Sequence, residues 1–244
     1  MKKTPRTLVA VATYNEIENV PRLVDEIFEN APDVDILIID DNSPDGTGEW
    51  CEKRTAEDPR VSCIHREGKL GLGSATIAGF KFAIEEHYDL VLTMDADFSH
   101  HPRHLPEMLK PFQAENNEID VNIGSRYVSG GGIEGWPLHR RLMSWSLNHY
   151  ARILLGLRVR DLSGAFRCYR TDVLRQLDFD EIRSQGYSYL EEILWILKRQ
   201  GVRFSETPIT FVDRQAGQTK INSREAVTAL WIITRLGIRN WFGI

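Results

Sequence analysis

Residues 90–97 read Leu-Val-Leu-Thr-Met-Asp-Ala-Asp, and this pattern is the clearest local indication of the fold. A short apolar run ends abruptly in two carboxylates, as a buried strand does where it reaches the edge of a sheet. Four more short apolar runs end in polar residues in the same way, at 8–12, 36–39, 61–64 and 121–123. Near-continuous apolar strands are typical of a sheet that helices cover on both faces.

Helical patterns alternate with these strands at 19–30, 48–56, 74–86 and 105–112, which predicts a mostly parallel sheet with crossover helices. In such sheets ligands bind beyond the carboxyl ends of the strands. The second half has a flexible stretch at 129–132, then a helix at 139–155, a strand at 165–169, a helix at 189–199, short strands near 202 and 209, and a last helix from 223. We therefore predict an α/β fold, in which a single mostly parallel sheet flanked by helices carries a small C-terminal elaboration. One domain would extend over 1–222, and a C-terminal amphipathic helix over 223–244.

The charges are unevenly distributed along the 244 residues. The chain carries 30 basic and 35 acidic side chains, and the net charge of -5 argues against a general nucleic-acid binder. Residues 1–125 hold 12 basic and 24 acidic groups, whereas residues 126–170 hold 8 arginines against Glu134 and Asp161. Residues 214–244 add 5 basic groups against Glu225. This asymmetry predicts a cation site in the first half and an anion site in the second.

Cysteine usage and hydropathy limit the class of protein further. Three scattered cysteines provide neither a disulfide framework nor a zinc site, which favours a reducing cytoplasm, and Cys51 and Cys63 are expected to pack as small hydrophobes. The N-terminal apolar stretch is brief and is interpreted as a first strand rather than a signal peptide. No stretch approaches the roughly 18 apolar residues of a membrane span.

The Asp95-Ala96-Asp97 turn is the most specific local motif. Two carboxylates at a strand end can hold a hard divalent cation together with water and phosphate oxygens, but an acidic turn that only solvates the strand end would look the same. Asp40 and Asp41 end a neighbouring strand, and the mutual repulsion of these acidic endings favours a cation or ribose hydroxyls between them.

Two other motifs have simpler interpretations. The glycine-rich run 68–74 opens a helix and suits either an anion or a tight turn with close packing, and it is neither a P-loop nor a dinucleotide fingerprint. His100, His101 and His104 lack the spacing of a metal site and are expected in a solvated loop. No Gly-x-Ser-x-Gly nucleophile elbow is present, so a covalent hydrolase is not supported.

Basic side chains form the counterpart to the acidic strand ends: Arg126, Arg140, Arg141, Arg214 and Lys220. Arginines on a helix often only solvate its outer face. Here they follow a strand-end Gly-Ser or flank glycine and serine loops, where a guanidinium group can bind phosphate through two hydrogen bonds. The pattern predicts a second anionic ligand beside the one held by the cation.

The order of these motifs resembles the polyprenol (dolichyl) phosphate mannosyltransferases of glycosyltransferase family 2, which have the GT-A fold. The matching stretches are Ala12-Thr13-Tyr14-Asn15-Glu16, residues 40–47 (Asp-Asp-Asn-Ser-Pro-Asp-Gly-Thr), 68–73, 95–100, 124–127, 161–167 and 214–220. The first and fourth indicate only the broad family. The stretches 41–47 and 214–220 are much more specific to enzymes that act on polyprenyl phosphate.

The resemblance implies roles for individual residues. It places the guanosine of GDP-mannose against Ala12, Tyr14, Glu16, Ile39 and Asp41, and the donor against Asp95, Ala96 and Asp97. Asp97 would be the main ligand of Mg²⁺ or Mn²⁺, and Ser99, where relatives have glutamine, would act through a bridging water. Arg126, Arg140 and Ser144 would hold the acceptor phosphate, with Arg126 also near the donor, and Arg214 and Lys220 would close on the donor diphosphate.

The implied reaction is a single displacement with inversion, which transfers mannose to polyprenyl phosphate and releases GDP. Its transition state would depend on Asp97, Arg126 and Lys220. UDP-glucose or another sugar nucleotide is an alternative donor, and a non-catalytic nucleotide-sugar-binding subunit of a membrane complex is an alternative class. The lipid acceptor implies peripheral attachment at the cytoplasmic face of the membrane, and an anchoring protein subunit is a further candidate partner.

The last helix mixes tryptophans, branched aliphatic residues and arginines over residues 226–242. This composition suits a helix that lies in the membrane interface. It also suits a helix that packs on the domain with one basic face in water. Both interpretations stay open from the sequence.

Overall fold

The strands predicted in the first half are all present, each within two residues of its expected bounds. They are β1 (Thr7–Thr13), β2 (Val34–Asp40), β3 (Val61–His65), β4 (Leu90–Asp95) and β5 (Val121–Ser125). The second half adds β6 (Gly132–Glu134), β7 (Arg167–Arg170), β8 (Phe204–Pro208) and β9 (Thr210–Val212). The computed structural model describes residues 4–114, 118–182, 184, 186, 188–213 and 223–242, the first six of the last range by backbone only.

Helices follow the strands closely in the first half. They are α1 (Val20–Asn30), α2 (Thr47–Glu57), α3 (Leu72–Glu85), α4 (Leu105–Leu109), α5 (Leu138–Leu155), α6 (Thr171–Leu174), α7 (Tyr189–Arg199) and α8 (Ser223–Phe242). The helix predicted over 105–112 changes to a 3₁₀ turn at Lys110, where Pro111 has no amide hydrogen to donate to the preceding turn. The predicted boundary at residue 222 lies outside the described residues, and the division there stays a prediction.

The central sheet has seven strands in the order β3-β2-β1-β4-β7-β5-β8. Strands β1 to β4 pair in parallel, and so do β5 and β8, whereas β7 runs antiparallel between β4 and β5. A second, two-stranded parallel sheet joins β6 to β9. The predicted mostly parallel sheet with a C-terminal elaboration is therefore confirmed.

The pleat of the sheet divides the core between two faces. Leu8 and Ala10 point into one hydrophobic cluster with α3, α5 and α7, while Val9 and Val11 point into the other with α1 and α4. Because both faces are covered, the strands are apolar at consecutive positions. All carboxyl ends of β1 to β4 are thereby held at one edge of a rigid layer.

The fold bears on the predictions made from the sequence for the cysteines and for membrane spans. Cys51 is buried in the core and Cys63 packs against it half-buried, and neither forms a disulfide. Over the part of the chain that the structure describes, no helix combines the length and apolar character that crossing a bilayer requires.

Candidate active site

A cavity of about 190 Å³ opens at the carboxyl ends of β1, β2 and β4, and we call it the acidic cavity. The strand pairing explains its composition, because parallel register sets Ala12 opposite both Ile39 and Asp95. It is lined by Ala12, Thr13, Tyr14, Glu16, Asp41, Lys69, Gly71, Leu72, Ala75, Asp95, Ala96, Asp97 and Gly186. Every predicted donor residue from the first half lies here except Ile39, whose side chain is buried in the core.

The two aspartates at the end of β2 have different surroundings. Asp40 is buried and accepts hydrogen bonds from the Thr13 hydroxyl and from the Ser43 amide, both at 3.0 Å. Asp41 lines the cavity and forms an ion pair with Arg66 at 2.8 Å. Burial raises the pKa of Asp41, although Arg66 opposes the shift. The sequence suggested that a cation or ribose hydroxyls would relieve the repulsion between the acidic strand ends. In the structure, hydroxyl groups contact these aspartates on one side and an arginine on the other, and they reduce that repulsion.

The Asp95-Ala96-Asp97 turn forms the cavity wall beside β1. Asp97 Oδ1 accepts a hydrogen bond from the Ser99 amide at 3.1 Å, which fixes the carboxylate. Ser99 itself is 2% exposed, and its hydroxyl has no hydrogen-bond partner among the described residues. Two carboxylates and an unsatisfied buried hydroxyl form an all-oxygen donor set of the kind that Mg²⁺ and Mn²⁺ prefer.

Asp95 and Asp97 supply two carboxylates, fewer ligands than the octahedral shell of Mg²⁺ requires. Among the ranges that the structure describes, no group of three or more histidine, cysteine, aspartate or glutamate side chains is arranged to hold a metal. A cation at Asp95 and Asp97 would therefore take its remaining ligands from water and from phosphate oxygens. This favours binding of the metal together with a diphosphate rather than alone.

The prediction of a solvated histidine loop is wrong for His100. Its ring is buried, lies parallel to Phe166 at 5.3 Å and meets Phe211 edge-on at 5.5 Å. Burial lowers the pKa of His100 to about 4, despite the nearby charge of Asp97. His104 is half-buried, and its Nε2 accepts a hydrogen bond from the Thr210 amide at 3.3 Å. The apolar rings that bury His100 come from distant segments, so local spacing did not reveal them.

The glycine-rich run forms a closely packed turn and borders the acidic cavity. Gly71 has a φ of +96° and precedes α3, and both Gly71 and Lys69 line the acidic cavity. A side chain at Gly73 would meet Tyr189 and the Ser184 carbonyl at 3.0 Å, so close packing also requires glycine there. The run therefore brings a lysine and a helix N-terminus to the cavity.

Arg126 begins a second polar region after β5. It is buried, and its Nε and Nη2 donate to the two oxygens of Asp161 at 2.8 and 2.7 Å. Nη2 also donates to Ser163 at 2.9 Å. Asp161 is fully buried and further accepts the Arg126 and Gly164 amides. Burial alone would raise the pKa of Asp161, but Arg126 holds it below its usual value.

The other two predicted acceptor residues lie on α5. Arg140 donates to both oxygens of Asp213 at 3.1 and 3.2 Å and stacks on Trp136 at 4.0 Å, while the Ser144 hydroxyl accepts from Tyr127 at 2.7 Å. The Arg126 guanidinium lies over the same two aromatic rings, at 5.3 and 5.7 Å. We call this region the arginine site; it comprises Arg126, Arg140, Ser144, Asp161 and Asp213.

The structure thus brings Arg126, Arg140 and Ser144 together, while Arg214 and Lys220 lie outside the described residues. Sequence reasoning missed the partner role of Asp161. Its only signal was an isolated acidic residue in a segment otherwise rich in arginine. Arg141 donates to the Trp136 carbonyl at 3.1 Å and supports the α5 start instead.

An acidic cavity at a parallel sheet edge, followed by an arginine-rich second half, is the architecture of sugar-nucleotide transferases. Residues 8–178 match the signature of Glycosyl transferase family 2, and the chain belongs to this family. It is 42% identical to undecaprenyl-phosphate mannosyltransferase from Micrococcus luteus, over 98% of this chain and 97% of that protein. It is 39% identical to polyprenol monophosphomannose synthase from Mycolicibacterium smegmatis, over 98% of this chain and 89% of that protein. The resemblance found in the sequence is confirmed.

Solved structures of glucosyl-3-phosphoglycerate synthase from Mycobacterium tuberculosis share the fold. A complex with phosphoglyceric acid has a TM-score of 0.67 at 17% identity, covering 97% of this chain and 80% of that chain. A complex with Mn²⁺, UDP and glucosyl-3-phosphoglycerate has a TM-score of 0.63 at 18% identity, covering 98% and 79%. At this level of identity the likeness establishes a GT-A-type α/β fold.

Proposed function

We propose that this protein transfers mannose from GDP-mannose to a polyprenyl phosphate, with inversion at the anomeric carbon. The observation that carries the proposal is the pairing of the acidic cavity with the adjacent arginine site, one suited to a metal-bound diphosphate and the other to a phosphate monoester. The names of the two relatives supply the sugar and the lipid class.

The donor occupies the acidic cavity in this proposal. Ala12, Tyr14, Glu16 and Asp41 face the nucleoside, and Ile39 contributes only through its backbone because its side chain is buried. Asp97 and Asp95 hold Mg²⁺ or Mn²⁺ against the diphosphate, with Ser99 acting through a water. When bound, the metal neutralises the charge that develops on the departing GDP.

The acceptor phosphate binds at the arginine site. Asp161 occupies Nε and Nη2 of Arg126, and among the described residues Nη1 has no hydrogen-bond partner, so this edge of a rigidly held guanidinium is available to phosphate. Arg140 and the Ser144 hydroxyl complete the grip. The ion pair with Asp161 raises the pKa of Arg126, although burial alone would lower it, so the guanidinium stays charged.

The reaction then needs alignment more than proton transfer. The acceptor phosphate has a second pKa of about 6 and is an anion at neutral pH. Its oxygen forms a bond to the anomeric carbon while the bond from that carbon to the β-phosphate oxygen breaks, and GDP departs with the electron pair. Arg214 and Lys220 are proposed to bind the donor diphosphate, as the family resemblance implies.

A transfer assay tests the proposal directly. Purified protein, Mn²⁺ and a short polyprenyl phosphate are combined with GDP-mannose or UDP-glucose, and the lipid product is separated and weighed by mass spectrometry. We expect mannosyl phospholipid with GDP-mannose. Product with UDP-glucose alone would overturn the donor, and nucleotide binding with no transfer from either donor would favour a non-catalytic binding subunit.

We also propose that the protein works while attached to a membrane surface. Of the twelve large apolar side chains that are exposed among the described residues, eleven lie on α5 and α8, and only Leu70 lies elsewhere. The two helices pack side by side, and Tyr150 and Thr234 share a hydrogen bond at 2.9 Å that joins their exposed faces. We call this surface the apolar platform; its members are Leu138, Leu142, Met143, Trp145, Tyr150, Ile153, Leu230, Trp231, Ile238, Trp241 and Phe242.

A bilayer containing anionic lipid is the partner that this surface fits. Helix α5 carries three arginines and no acidic residue, and aromatic side chains such as Trp145 and Trp241 suit the headgroup region. Arg140 and Ser144 lie on α5 as well, so a lipid phosphate at the arginine site would have its hydrocarbon chain near the bilayer. Both helices, rather than α8 alone, are thus proposed to contact the membrane.

Vesicle flotation with matched variants tests the apolar platform. Leu142→Glu and Ile238→Glu alter residues that are 55% and 50% exposed, and Leu70→Glu alters one that is 56% exposed outside it. With vesicles of phosphatidylcholine and phosphatidylglycerol, we expect the first two to weaken binding about tenfold and the third to leave it unchanged. Equal flotation of all three would contradict the proposal, and self-association lost in Leu142→Glu would identify a second copy as the partner instead.

A further inference from the structure

His100 lies between the acidic cavity and the arginine site, and no role in the proposed reaction accounts for its placement. Its side chain is almost completely buried directly after the Asp95-Ala96-Asp97 turn. Its Nδ1 lies 3.4 Å from the Asp95 amide nitrogen and 3.4 Å from Asp95 Oδ2. Because Nδ1 accepts the Asp95 amide hydrogen, it carries no hydrogen to donate to Oδ2, and the imidazole binds the backbone of a residue in the cavity wall.

The His100 ring also contacts the C-terminal half of the chain. Phe211 on β9 meets this ring edge-on at 5.5 Å and pairs with His100 as an isolated antiparallel bridge. Phe211 also packs edge-on against Trp136 at 5.2 Å and lies 5.5 Å from the Arg126 guanidinium. One continuous set of contacts thus runs from Asp95 through two rings to the arginine site.

Two hydrogen bonds donated by backbone amides hold the same segments together. The Val212 amide donates to the Ser99 carbonyl at 3.3 Å, and the Thr210 amide donates to His104 Nε2 at the same distance. Strand β9 is therefore fastened to the loop after β4 on both sides of Phe211. Rigid attachment of this kind matters because in-line displacement depends on the separation and angle of the two reactants.

We propose that His100 is a positioning residue, which orients Asp95 through Nδ1 and, through Phe211, fixes the acidic cavity relative to the arginine site. The inference rests on the proposed function, because it takes the first region to hold the metal and donor and the second to hold the acceptor. Outer groups that hydrogen-bond to a metal-binding residue and orient it commonly change metal affinity or activity by about 10- to 100-fold when they are removed.

The Asp95 contact is tested with His100→Phe, which keeps a ring between Phe166 and Phe211 but removes Nδ1. We expect the dissociation constant of Mn²⁺ with GDP, measured by calorimetry, to rise about tenfold, while KM for polyprenyl phosphate stays within twofold. His100→Asn retains a polar group near the position of Nδ1, and it should restore most of the affinity. His101→Phe is the matched control, since that histidine is half-exposed and lies beside Glu26 rather than Asp95.

The ring contact is tested with Phe211→Leu. This variant should bind Mn²⁺ and GDP within twofold of the natural protein but should lower kcat about tenfold, because only the alignment of the two regions changes. Thermal melting of each variant checks that the fold is retained, and His100→Leu, which also removes Nδ1, replaces His100→Phe if the latter does not fold.

Two outcomes separate the failure of this inference from failure of the proposed function. Unchanged Mn²⁺ and GDP affinity and unchanged kcat in folded His100→Phe or, if that variant does not fold, in His100→Leu, with transfer abolished in Asp97→Asn, would show that His100 only fills space. Normal Mn²⁺ and GDP binding in Asp97→Asn would instead remove the metal site on which both proposals depend.

Discussion

The acidic cavity and the arginine site are built in different ways. The acidic cavity takes most of its lining from residues 12–97, where consecutive parallel strands end at one edge of the sheet. The arginine site depends on pairs far apart in sequence: Arg126 with Asp161 and Arg140 with Asp213. The first can be located from strand order alone, whereas the second exists only once several segments have packed together.

The energetics of the two regions differ as well. Asp95 and Asp97 in the acidic cavity are partly exposed, and Asp95 keeps 31% of its side-chain surface accessible. In the arginine site, Arg126 and Asp161 are almost completely buried and depend on each other for charge compensation. We therefore expect changes in the acidic cavity to affect ligand binding and catalysis, and changes at Asp161 to affect the fold.

The largest effect is expected for Asp97→Asn. Removing the main metal carboxylate should lower the rate of transfer by about 10³-fold or more, because several kcal/mol of charge stabilisation on GDP is lost. The fold should be retained, as circular dichroism and thermal melting would verify. Asp33→Asn, at an exposed position remote from the cavity, is the control. Near-normal turnover of Asp97→Asn would remove Asp97 from the catalytic residues.

Asp161→Asn tests the opposite expectation. It leaves the Arg126 charge buried without a counter-ion, which should lower the free energy of unfolding by about 3–5 kcal/mol. Urea denaturation measures this loss. The double variant Arg126→Met with Asp161→Asn removes both charges and should recover part of the stability. Strictly additive losses in the two single variants and the double variant would show that the pair is not coupled.

Glu191 extends the test to the buried polar region behind the arginine site. Burial raises the pKa of Glu191 to about 7, although a backbone hydrogen bond and the charges of Arg167 and Arg126 oppose the shift. The unfolded chain loses this proton near pH 4.5, so the folded protein becomes less stable as the pH rises from about 4.5 to 7.

Glu191→Gln cannot ionise and should relieve this penalty. Its stability relative to the natural protein should be about 2–3 kcal/mol more favourable at pH 8 than at pH 4.5. Chemical denaturation at the two pH values measures the difference, with Glu181→Gln at an exposed position as the control. The same relative stability at both pH values would mean that Glu191 titrates normally.

The smallest effect is expected for Arg140→Gln. Loss of one charged hydrogen-bond donor to the acceptor phosphate should raise KM for polyprenyl phosphate about tenfold. The ion pair with Asp213 is partly exposed, so the melting temperature should change little. Arg152→Gln, on the same helix but distant from the arginine site, is the control. An unchanged KM in Arg140→Gln would exclude Arg140 from acceptor binding.

The sequence predicted the sheet well because apolar strands and helical patterns are local signals. It missed β6 and α6, which have three and four residues and are too short to carry a period. It placed most of the acidic cavity correctly, since strand ends converge by rule. It did not predict that His100 would be enclosed by two phenylalanines or that Asp161 would pair with Arg126, because each depends on contacts between distant segments.

We propose that donor and acceptor phosphates bind to separate sets of residues. One calorimetric comparison distinguishes this arrangement from a single shared site. The dissociation constants of Mn²⁺ with GDP and of a short polyprenyl phosphate are measured for the natural protein, Asp97→Asn and Arg140→Gln. We predict that Asp97→Asn weakens only the nucleotide by more than tenfold and that Arg140→Gln weakens only the lipid phosphate, each leaving the other ligand within twofold. Weakening of both ligands by each folded variant would contradict two separate sites.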